Sequence, residues 1–290
     1  MNFGISRVAG LLPAIRSIFA DLLGDDDSPA PVLPAGLPEA VRPLAAEGLR
    51  RLTEYQGPGY AQLYSDRLRR FVGRRNLDDA VFAEIARLMT MRMTYNDAIE
   101  MAQLQLAEAV SGRGIPPVAV RKLRLDEMVS SLPEMVADPV LWVLESMGWL
   151  HLPVTRRFSA ASRLSLRRLK VEASLKRWRL SSIRYARERV WIERWLHMID
   201  RSLTKQPAAV AAVVATAEMV QGYGDGYTQN LRDWNLIIDG LVKPTFDGAL
   251  SCPDLAAAIA EARAAVRPDP QQAFLKQTIA GIRARAGTGL

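Results

Sequence analysis

Apolar residues recur three and four positions apart along most of this chain, the spacing that places them on one face of an α-helix. A clear example lies between residues 77 and 110, where one face carries Val81, Phe82, Ile85, Leu88 and Met89. No run alternates apolar and polar residues between turn signals, as a half-buried strand would. The pattern therefore predicts an all-α fold, a multi-helix, bundle-like domain.

The boundaries of the helices follow from the glycine, proline and capping residues that interrupt this pattern. The predicted helical segments are 39–54, 59–72, 77–110, 119–129, 139–148, 159–204 with a break near Ser181 and Ser182, 207–221, 227–241, 253–266 and 270–285. The third segment has Asp78 and Asp79 at its start, where acidic side chains cap a helix and interact favourably with its dipole.

Two segments precede the predicted helical domain at 39–290. Residues 1–23 have helical spacing, and Arg7, Pro13 and Arg16 interrupt any apolar run typical of a signal peptide. They predict a short amphipathic helix that docks on the protein or on a partner, with a membrane-surface or signal role as the alternative. Residues 24–38 are acidic and then proline-rich, which predicts a linker. No stretch has the roughly 18 uninterrupted apolar residues of a membrane-spanning helix.

Composition limits the cofactors that the chain could hold. The 290 residues carry a net charge of +7 but include one cysteine, Cys252, and two histidines, His151 and His197. These are too few for an iron–sulfur cluster or a structural zinc site, and they exclude an internal disulfide. We therefore expect no cofactor or metal in this chain and, from the cysteine count, a cytoplasmic location. His197 follows Glu193 by one helical turn, which predicts a surface pair.

Basic residues are concentrated between 156 and 189. On a helix, one face of this segment would carry Arg163, Arg167, Lys170, Arg177 and Arg184. Three interpretations stay open: a solvated or internally paired face, a docking patch for an acidic protein or an anionic cofactor, and a nucleic-acid surface. Aromatic residues are sparse here, which argues against a base-stacking platform.

A glycine-rich loop, "GYGDGY", separates the segments 207–221 and 227–241. Its GDG resembles the opening of a thiamine-diphosphate motif, but no asparagine follows Asn235, and the spacing does not fit a dinucleotide fingerprint. The loop predicts a helix–loop–helix turn in which glycines take positive φ and Gly222 ends the preceding helix. The alternative is that Gly222, Tyr223, Gly224 and Asp225 contact a ligand or partner.

Four segments in order resemble the C-terminal helical region of the beta subunit of indolepyruvate ferredoxin oxidoreductase, in its long bacterial form. They are "LTEYQGPGYAQLYSDRLRR" (52–70), "MTYNDAIEMAQL" (93–104), "LSLRRLK…RWR…RYARERVWIERWL" (164–196) and "EMVQGYGDGYTQNL" (218–231). The family-motif positions are Tyr55, Gln56, Tyr60, Tyr95 and Asp97, together with the Gly-Tyr-Gly loop. The resemblance extends over about 35–245.

This chain differs from that family at two motif positions and in its N-terminal segment. Gly57 replaces an aspartate, Asn96 replaces a lysine, and residues 1–38 stand where the family has an α/β domain. The resemblance implies a non-catalytic helical subunit or module of an oxidoreductase that decarboxylates aryl-2-oxoacids. Thiamine diphosphate and iron–sulfur clusters would belong to a large partner chain, and ferredoxin is a further expected partner. The alternative is a free-standing helical protein that binds an anionic surface, either nucleic acid or membrane.

Overall fold

The computed structural model of the protein describes residues 28–95, 119–124, 129, 134–149, 153–158, 179–222 and 225–287. The α-helices are α1 (Arg42–Tyr55), α2 (Pro58–Arg69), α3 (Asp79–Met93), α4 (Glu134–Ser146), α5 (Ile183–Lys205), α6 (Val210–Ala215), α7 (Asp225–Ile237), α8 (Lys243–Phe246), α9 (Leu255–Ala264) and α10 (Ala273–Gly287). Two 3-10 turns, Pro207–Ala209 and Thr216–Met219, flank α6, and a π-helical turn, Ile238–Val242, joins α7 to α8. The all-α prediction is confirmed.

The structure differs from the prediction most clearly at 119–129. Residues Ala119–Arg124 form a strand, β1, which pairs antiparallel with β2 (Pro153–Phe158), so that Ala119 lies opposite Phe158. The helical prediction was wrong for 119–124, whereas Val129 is helical and 125–128 lie outside the described residues. A strand that pairs with a segment about thirty residues away owes its structure to that distant partner, which local periodicity does not reveal.

Capping residues set the ends of α3. The predicted start is confirmed, because Asp78 Oδ1 accepts a hydrogen bond from the backbone N–H of Val81 at 2.7 Å. The helix ends at Met93, and residues 96–110 of the predicted segment lie outside the described residues. At Thr94 the backbone leaves helical geometry, while its N–H and hydroxyl both donate to the carbonyl oxygen of Thr90 at 3.0 and 2.9 Å.

The described residues divide into two compact units. The first contains the described parts of Met1–Pro31, Gln56–Tyr60 and Ala98–Tyr185, and the second contains Val32–Tyr55, Ala61–Asp97 and Ala186–Leu290. The predicted single domain at 39–290 and its boundaries stay a prediction. Residues 28–38 contain no helix, and those from Val32 onward belong to the second unit. There the backbone N–H of Val32 donates to Gln62 Oε1 at 3.0 Å, and Leu37 is buried.

Three tryptophans form the centre of the second unit. Trp191 and Trp195 on α5 lie parallel with ring centroids 6.4 Å apart, and Trp234 on α7 packs edge-on against Trp191 at 5.5 Å. All three are buried. Two of the three indole N–H groups also make hydrogen bonds: Trp195 Nε1 donates to the carbonyl oxygen of Val214 at 3.2 Å and Trp234 Nε1 donates to Thr216 Oγ1 at 3.0 Å. The cluster thereby joins α5, α6 and α7.

A glycine allows α1 to approach α3 closely. A Cβ atom added at Gly48 would overlap Thr90 Oγ1 and lie 2.7 Å from Tyr64 Oη. Neither side chain can move away freely, because both hydroxyls donate to the carbonyl oxygen of Ala86 in a buried environment, at 2.9 Å from Thr90 and 3.2 Å from Tyr64. The contact between the two helices therefore requires a residue without a side chain at this position.

We predict that Gly48→Ala destabilises the protein by about 1–3 kcal/mol, the usual cost of overpacking a buried contact. Gly281→Ala is a matched control in α10, since an added Cβ there would have only a flexible arginine atom at 3.8 Å. That change should stabilise by about 0.5–1 kcal/mol, because alanine is the better helix former. Urea denaturation followed by circular dichroism measures both; equal effects of the two variants would contradict the close approach.

Candidate functional site

The family-motif residues make pairwise contacts in the structure. In the second unit, Tyr55 Oη donates to the carbonyl oxygen of Tyr95 at 2.8 Å, and the two rings meet edge-on with centroids 6.0 Å apart. In the first unit, Arg179 Nη1 donates to Gln56 Oε1 at 3.2 Å. Tyr60 and Tyr185 also lie edge-on, with centroids 6.0 Å apart. Within each unit, residues from two of the first three motif segments are thus in contact.

The backbone at Gly57 favours the glycine that stands where the resembled family has aspartate. Its φ is +134°, a backbone conformation that residues with side chains rarely adopt.

The predicted break near Ser182 is confirmed, because α5 begins at Ile183 after a short 3-10 turn. Ser182 Oγ accepts from the backbone N–H of Tyr185 at 3.1 Å, as an N-cap does, and donates to the carbonyl oxygen of Arg179.

Several predicted site residues lie outside the described residues. They are Asp97, Arg163, Arg167, Lys170, Arg177, Tyr223 and Gly224. Of the predicted basic face, Arg184 is described, and it is half-buried at the start of α5. In the glycine loop, Gly222 has the predicted positive φ of +91°, but Val220 is the C-cap of the preceding turn, and Gly226 lies within α7. Asp225 is exposed at the first position of α7.

Glu193 does not make its principal contacts with His197. Its Oε1 lies 2.8 Å from Arg67 Nε and its Oε2 lies 2.7 Å from Arg70 Nη1. The Arg67 side chain is only 4% exposed, so α2 presents a buried cation that attracts this carboxylate. The predicted surface pair is therefore corrected: long-range ion pairing between α2 and α5 outcompetes the neighbour one turn away.

A cleft of about 440 Å³ opens beside the glycine loop in the second unit. The turn Thr216–Met219, α7 and α9 form it, and its described lining comprises Glu218, Met219, Asn230, Asp233, Ala260, Arg263, Ala264 and Val266. Asn230 connects the cleft to the loop, because its Nδ2 donates to the carbonyl oxygen of Gln221 at 2.9 Å. The described loop residues Gly222 and Asp225 are not among those that line it.

Ion pairs cross one side of the cleft. Glu218 Oε2 lies 2.9 Å from Arg263 Nη2, and Glu218 Oε1 lies 3.4 Å from Arg87 Nη2. Arg87 is held more closely by Glu84, whose Oε2 accepts from Arg87 Nε at 2.7 Å, so two carboxylates balance the two guanidinium groups. The Arg263 side chain is 28% exposed and lines the cleft.

Asp233 is a buried acidic residue in the wall of the cleft. The residue is 2% exposed, and its Oδ1 accepts hydrogen bonds from Gln229 Nε2 at 2.9 Å and Gln272 Nε2 at 2.6 Å. Its Oδ2 is buried and has no hydrogen-bond partner among the described residues. Such an oxygen is costly to leave unsatisfied, because burial removes the water that would otherwise donate to it.

Sequence reasoning did not identify these cleft residues. Asp233 could have been noticed, because it adjoins Trp234 and lies four residues before Ile237, on the buried face of α7. A carboxyl group at a core position of an amphipathic helix is unusual and often functional. Glu218 and Arg263 gave no such signal, since they are separated by 45 residues and meet only through packing.

Cys252 is poorly suited to nucleophilic catalysis. Cys252 is buried, and burial, together with the nearby Asp254 carboxylate, raises the pKa of its thiol. A thiol with a raised pKa is a poor nucleophile at neutral pH. The described ranges contain no group of three or more histidine, cysteine, aspartate or glutamate side chains that could hold a metal ion. In the part of the chain that the structure describes, no helix is both long and apolar enough to cross a membrane.

Comparison with protein families gives one match. The model of a family of unknown function, DUF6537, matches residues 41–240 of this chain. The chain belongs to this family. No curated protein and no solved structure matches it. The DUF6537 region contains Tyr55, Gln56 and the tryptophan cluster, and also Glu218 and Asp233, whereas Arg263 lies beyond its end.

We predict that the ion pair of Glu193 makes the stability of this DUF6537 chain depend on pH. Burial of the carboxyl acts to raise its pKa, but Arg67 and Arg70 more than offset this and lower it below the usual 4.5. A carboxyl with a lowered folded-state pKa stabilises the fold above its unfolded-state pKa, and the contribution disappears as pH falls through the folded value. Glu193→Gln should therefore destabilise near neutral pH, with a difference from wild type that shrinks below about pH 4.5.

The control for this experiment is Glu261→Gln. Glu261 pairs with Arg285 at the surface, where the side chains are 47% and 64% exposed. Exposed pairs contribute only about 0–1 kcal/mol, so this variant should differ little from wild type at any pH. Urea titrations at several pH values measure both differences, and a Glu193→Gln effect that is independent of pH would contradict the assignment.

Proposed function

We propose that this protein is a helical, non-catalytic subunit or module of an indolepyruvate-type 2-oxoacid ferredoxin oxidoreductase. The observation that carries the proposal is the ordered set of four segments that resembles the beta subunit of that enzyme over about 35–245. The DUF6537 match at 41–240 covers nearly the same residues, which supports treating them as one evolutionary unit. The family description itself assigns no activity, so the function comes from the resemblance.

The contacts of the motif residues support a scaffolding role. Tyr55, Gln56, Tyr60 and Tyr95 pack against residues of other segments, and the hydroxyl of Tyr55 is used in a buried hydrogen bond to the main chain. Residues engaged in this way stabilise a fold and do not present reactive groups to a substrate. In the proposed complex, thiamine diphosphate and the iron–sulfur clusters belong to the large partner chain.

An apolar surface on α4 supports a role in assembly. We call Val140, Trp142, Val143, Met147 and Trp149 the α4 surface; Trp142 is 70% exposed and Trp149 is 51% exposed. Exposed aromatic residues in such a group are typical of protein interfaces.

The end of α4 holds part of this surface in place. Gly148 has a φ of +69°, and the backbone N–H of Trp149 donates to the carbonyl oxygen of Leu144 at 2.8 Å, which is the geometry of a helix C-terminal cap. Trp149 is thereby exposed on a fixed backbone, and this limits the entropy lost when a partner covers it.

The proposed complex is cytoplasmic and oxidises an aryl-2-oxoacid with coenzyme A as acceptor of the acyl group. Electrons pass from the clusters of the large chain to ferredoxin. The basic residues Arg163, Arg167, Lys170, Arg177 and Arg184 would form a docking surface for ferredoxin, because acidic electron carriers associate faster with a basic surface. This chain therefore contributes interfaces and no catalytic group.

The test is co-expression with a large chain that carries thiamine-diphosphate and cluster motifs. The two chains should copurify and together reduce ferredoxin with indolepyruvate and coenzyme A, whereas this chain alone should not. Trp142→Glu should weaken copurification, because it places a charge in an apolar interface. Val190→Glu on α5 is the matched control, since Val190 is 68% exposed but lies outside the α4 surface, and it should leave assembly unchanged.

Two results would contradict the proposal. One is failure of the two wild-type chains to associate. The other is tight DNA or anionic-vesicle binding by the isolated chain that weakens steeply with salt, which would favour a free-standing protein for anionic surfaces. If the chains associate but Trp142→Glu and Val190→Glu behave alike, the assembly role would remain and the α4 surface would be rejected as its site.

A further inference from the structure

We propose that the antiparallel β1–β2 ribbon is an electrostatic docking surface for an acidic electron-carrier protein, and that Lys122, Arg124 and Arg157 make the contact. The proposal rests on the proposed function for the identity of that partner, a ferredoxin. Its location rests on the pairing of β1 with β2, which brings basic residues from two distant stretches of the chain together.

Basic residues are dense in this ribbon. The twelve residues of Ala119–Arg124 and Pro153–Phe158 include five lysine or arginine residues and no aspartate or glutamate. The ribbon therefore carries a charge of +5, in a chain whose total net charge is +7. A concentration of one sign of charge attracts partners of the opposite sign and raises the rate at which they associate.

The pairing register also places like charges opposite each other. Arg121 lies opposite Arg156 at the middle of the ribbon. Like charges at directly opposed positions of two antiparallel strands destabilise the pair. No acidic residue within the ribbon offsets this repulsion, whereas the carboxylates of a bound partner would.

The two faces of the ribbon differ in character. Residues at opposed positions share a face, and neighbours along a strand lie on opposite faces. One face is mostly apolar, with four apolar residues around the arginine pair: Ala119, Phe158, Leu123 and Val154. The other face carries three basic residues and consists of Val120, Arg157, Lys122, Thr155, Arg124 and Pro153. Antiparallel sheets commonly pack one face on a core and leave the other to solvent. We therefore assign the partner to the face with three basic residues.

The spacing on this face suits a protein partner. A strand advances about 3.4 Å per residue, so the three basic positions extend over about 14 Å of the ribbon. Charges spread over this length match several separate carboxylates and not one small anion. The only aromatic residue of the ribbon, Phe158, belongs to the other face, so the basic face has no ring to stack on a nucleic-acid base. A surface held by charge without an apolar anchor suits a carrier that must dissociate after each electron transfer.

Surface plasmon resonance of the full chain, with an oxidised acidic bacterial ferredoxin as the probe, tests the proposal without the large partner chain. Lys122→Glu/Arg157→Glu should lower the association rate constant at least about tenfold at about 50 mM ionic strength. The difference from wild type should disappear towards about 0.5 M salt, because exposed charges are then screened. The matched control, Arg75→Glu/Lys276→Glu, makes the same change in net charge at exposed positions of the second unit. It should lower the rate constant by less than about threefold.

A neutral pair keeps the test decisive if charge reversal impairs folding. Lys122→Gln/Arg157→Gln should retain the circular dichroism spectrum of wild type and slow association by a smaller factor with the same dependence on salt. The proposal is overturned if wild type does not bind ferredoxin at low salt, or if the ribbon and control variants slow association equally. It is also overturned if a DNA duplex of about 20 base pairs binds more tightly than ferredoxin and the ribbon variants abolish that binding. Failure of this chain to assemble with the large chain would refute the proposed function, whereas ferredoxin binding by the isolated chain decides the ribbon proposal in either case.

Discussion

The buried hydrogen bond from Trp234 Nε1 to Thr216 Oγ1 is the contact on which the arrangement of the second unit depends. It is 3.0 Å long and joins α7 to the 3-10 turn Thr216–Met219. The same hydroxyl donates to the carbonyl oxygen of Val213 at 2.7 Å, so it both accepts and donates. Glu218 follows Thr216 by two residues and Asp233 precedes Trp234. One contact in the core therefore sets the spacing of two walls of the cleft.

Each of the two units contains a different candidate surface: the α4 surface lies in the first unit and the cleft in the second. In the first, an apolar surface on α4 is exposed while its end is fixed by a helix cap, as an assembly surface requires. In the second, a tryptophan core supports a polar cleft whose wall includes Asp233, which has one buried carboxylate oxygen without a hydrogen-bond partner among the described residues. The motif tyrosines belong to the packing of these units. None of Tyr55, Tyr60 and Tyr95 lines the cleft in the second unit.

Periodicity predicted the helical class, the capped start of α3 and the break before α5, because each depends on residues close together in sequence. It could not predict the β1–β2 pair, whose partner strand lies far along the chain. Nor could it predict that Glu193 pairs with Arg67, 126 residues away, instead of His197. The cleft was missed for the same reason, since Glu218 and Arg263 meet only after α9 packs beside the 3-10 turn.

The dependence on the Thr216 hydroxyl is tested most directly by the free energy of unfolding of Thr216→Val. Valine keeps the shape of threonine but leaves Trp234 Nε1 buried without its acceptor, so we expect a loss of about 1–3 kcal/mol. Thr204→Val is the control, because the Thr204 hydroxyl donates to the carbonyl oxygen of Asp200 at an exposed position on α5; it should change stability by less than about 0.5 kcal/mol. Equal, small changes in the two variants would contradict the account.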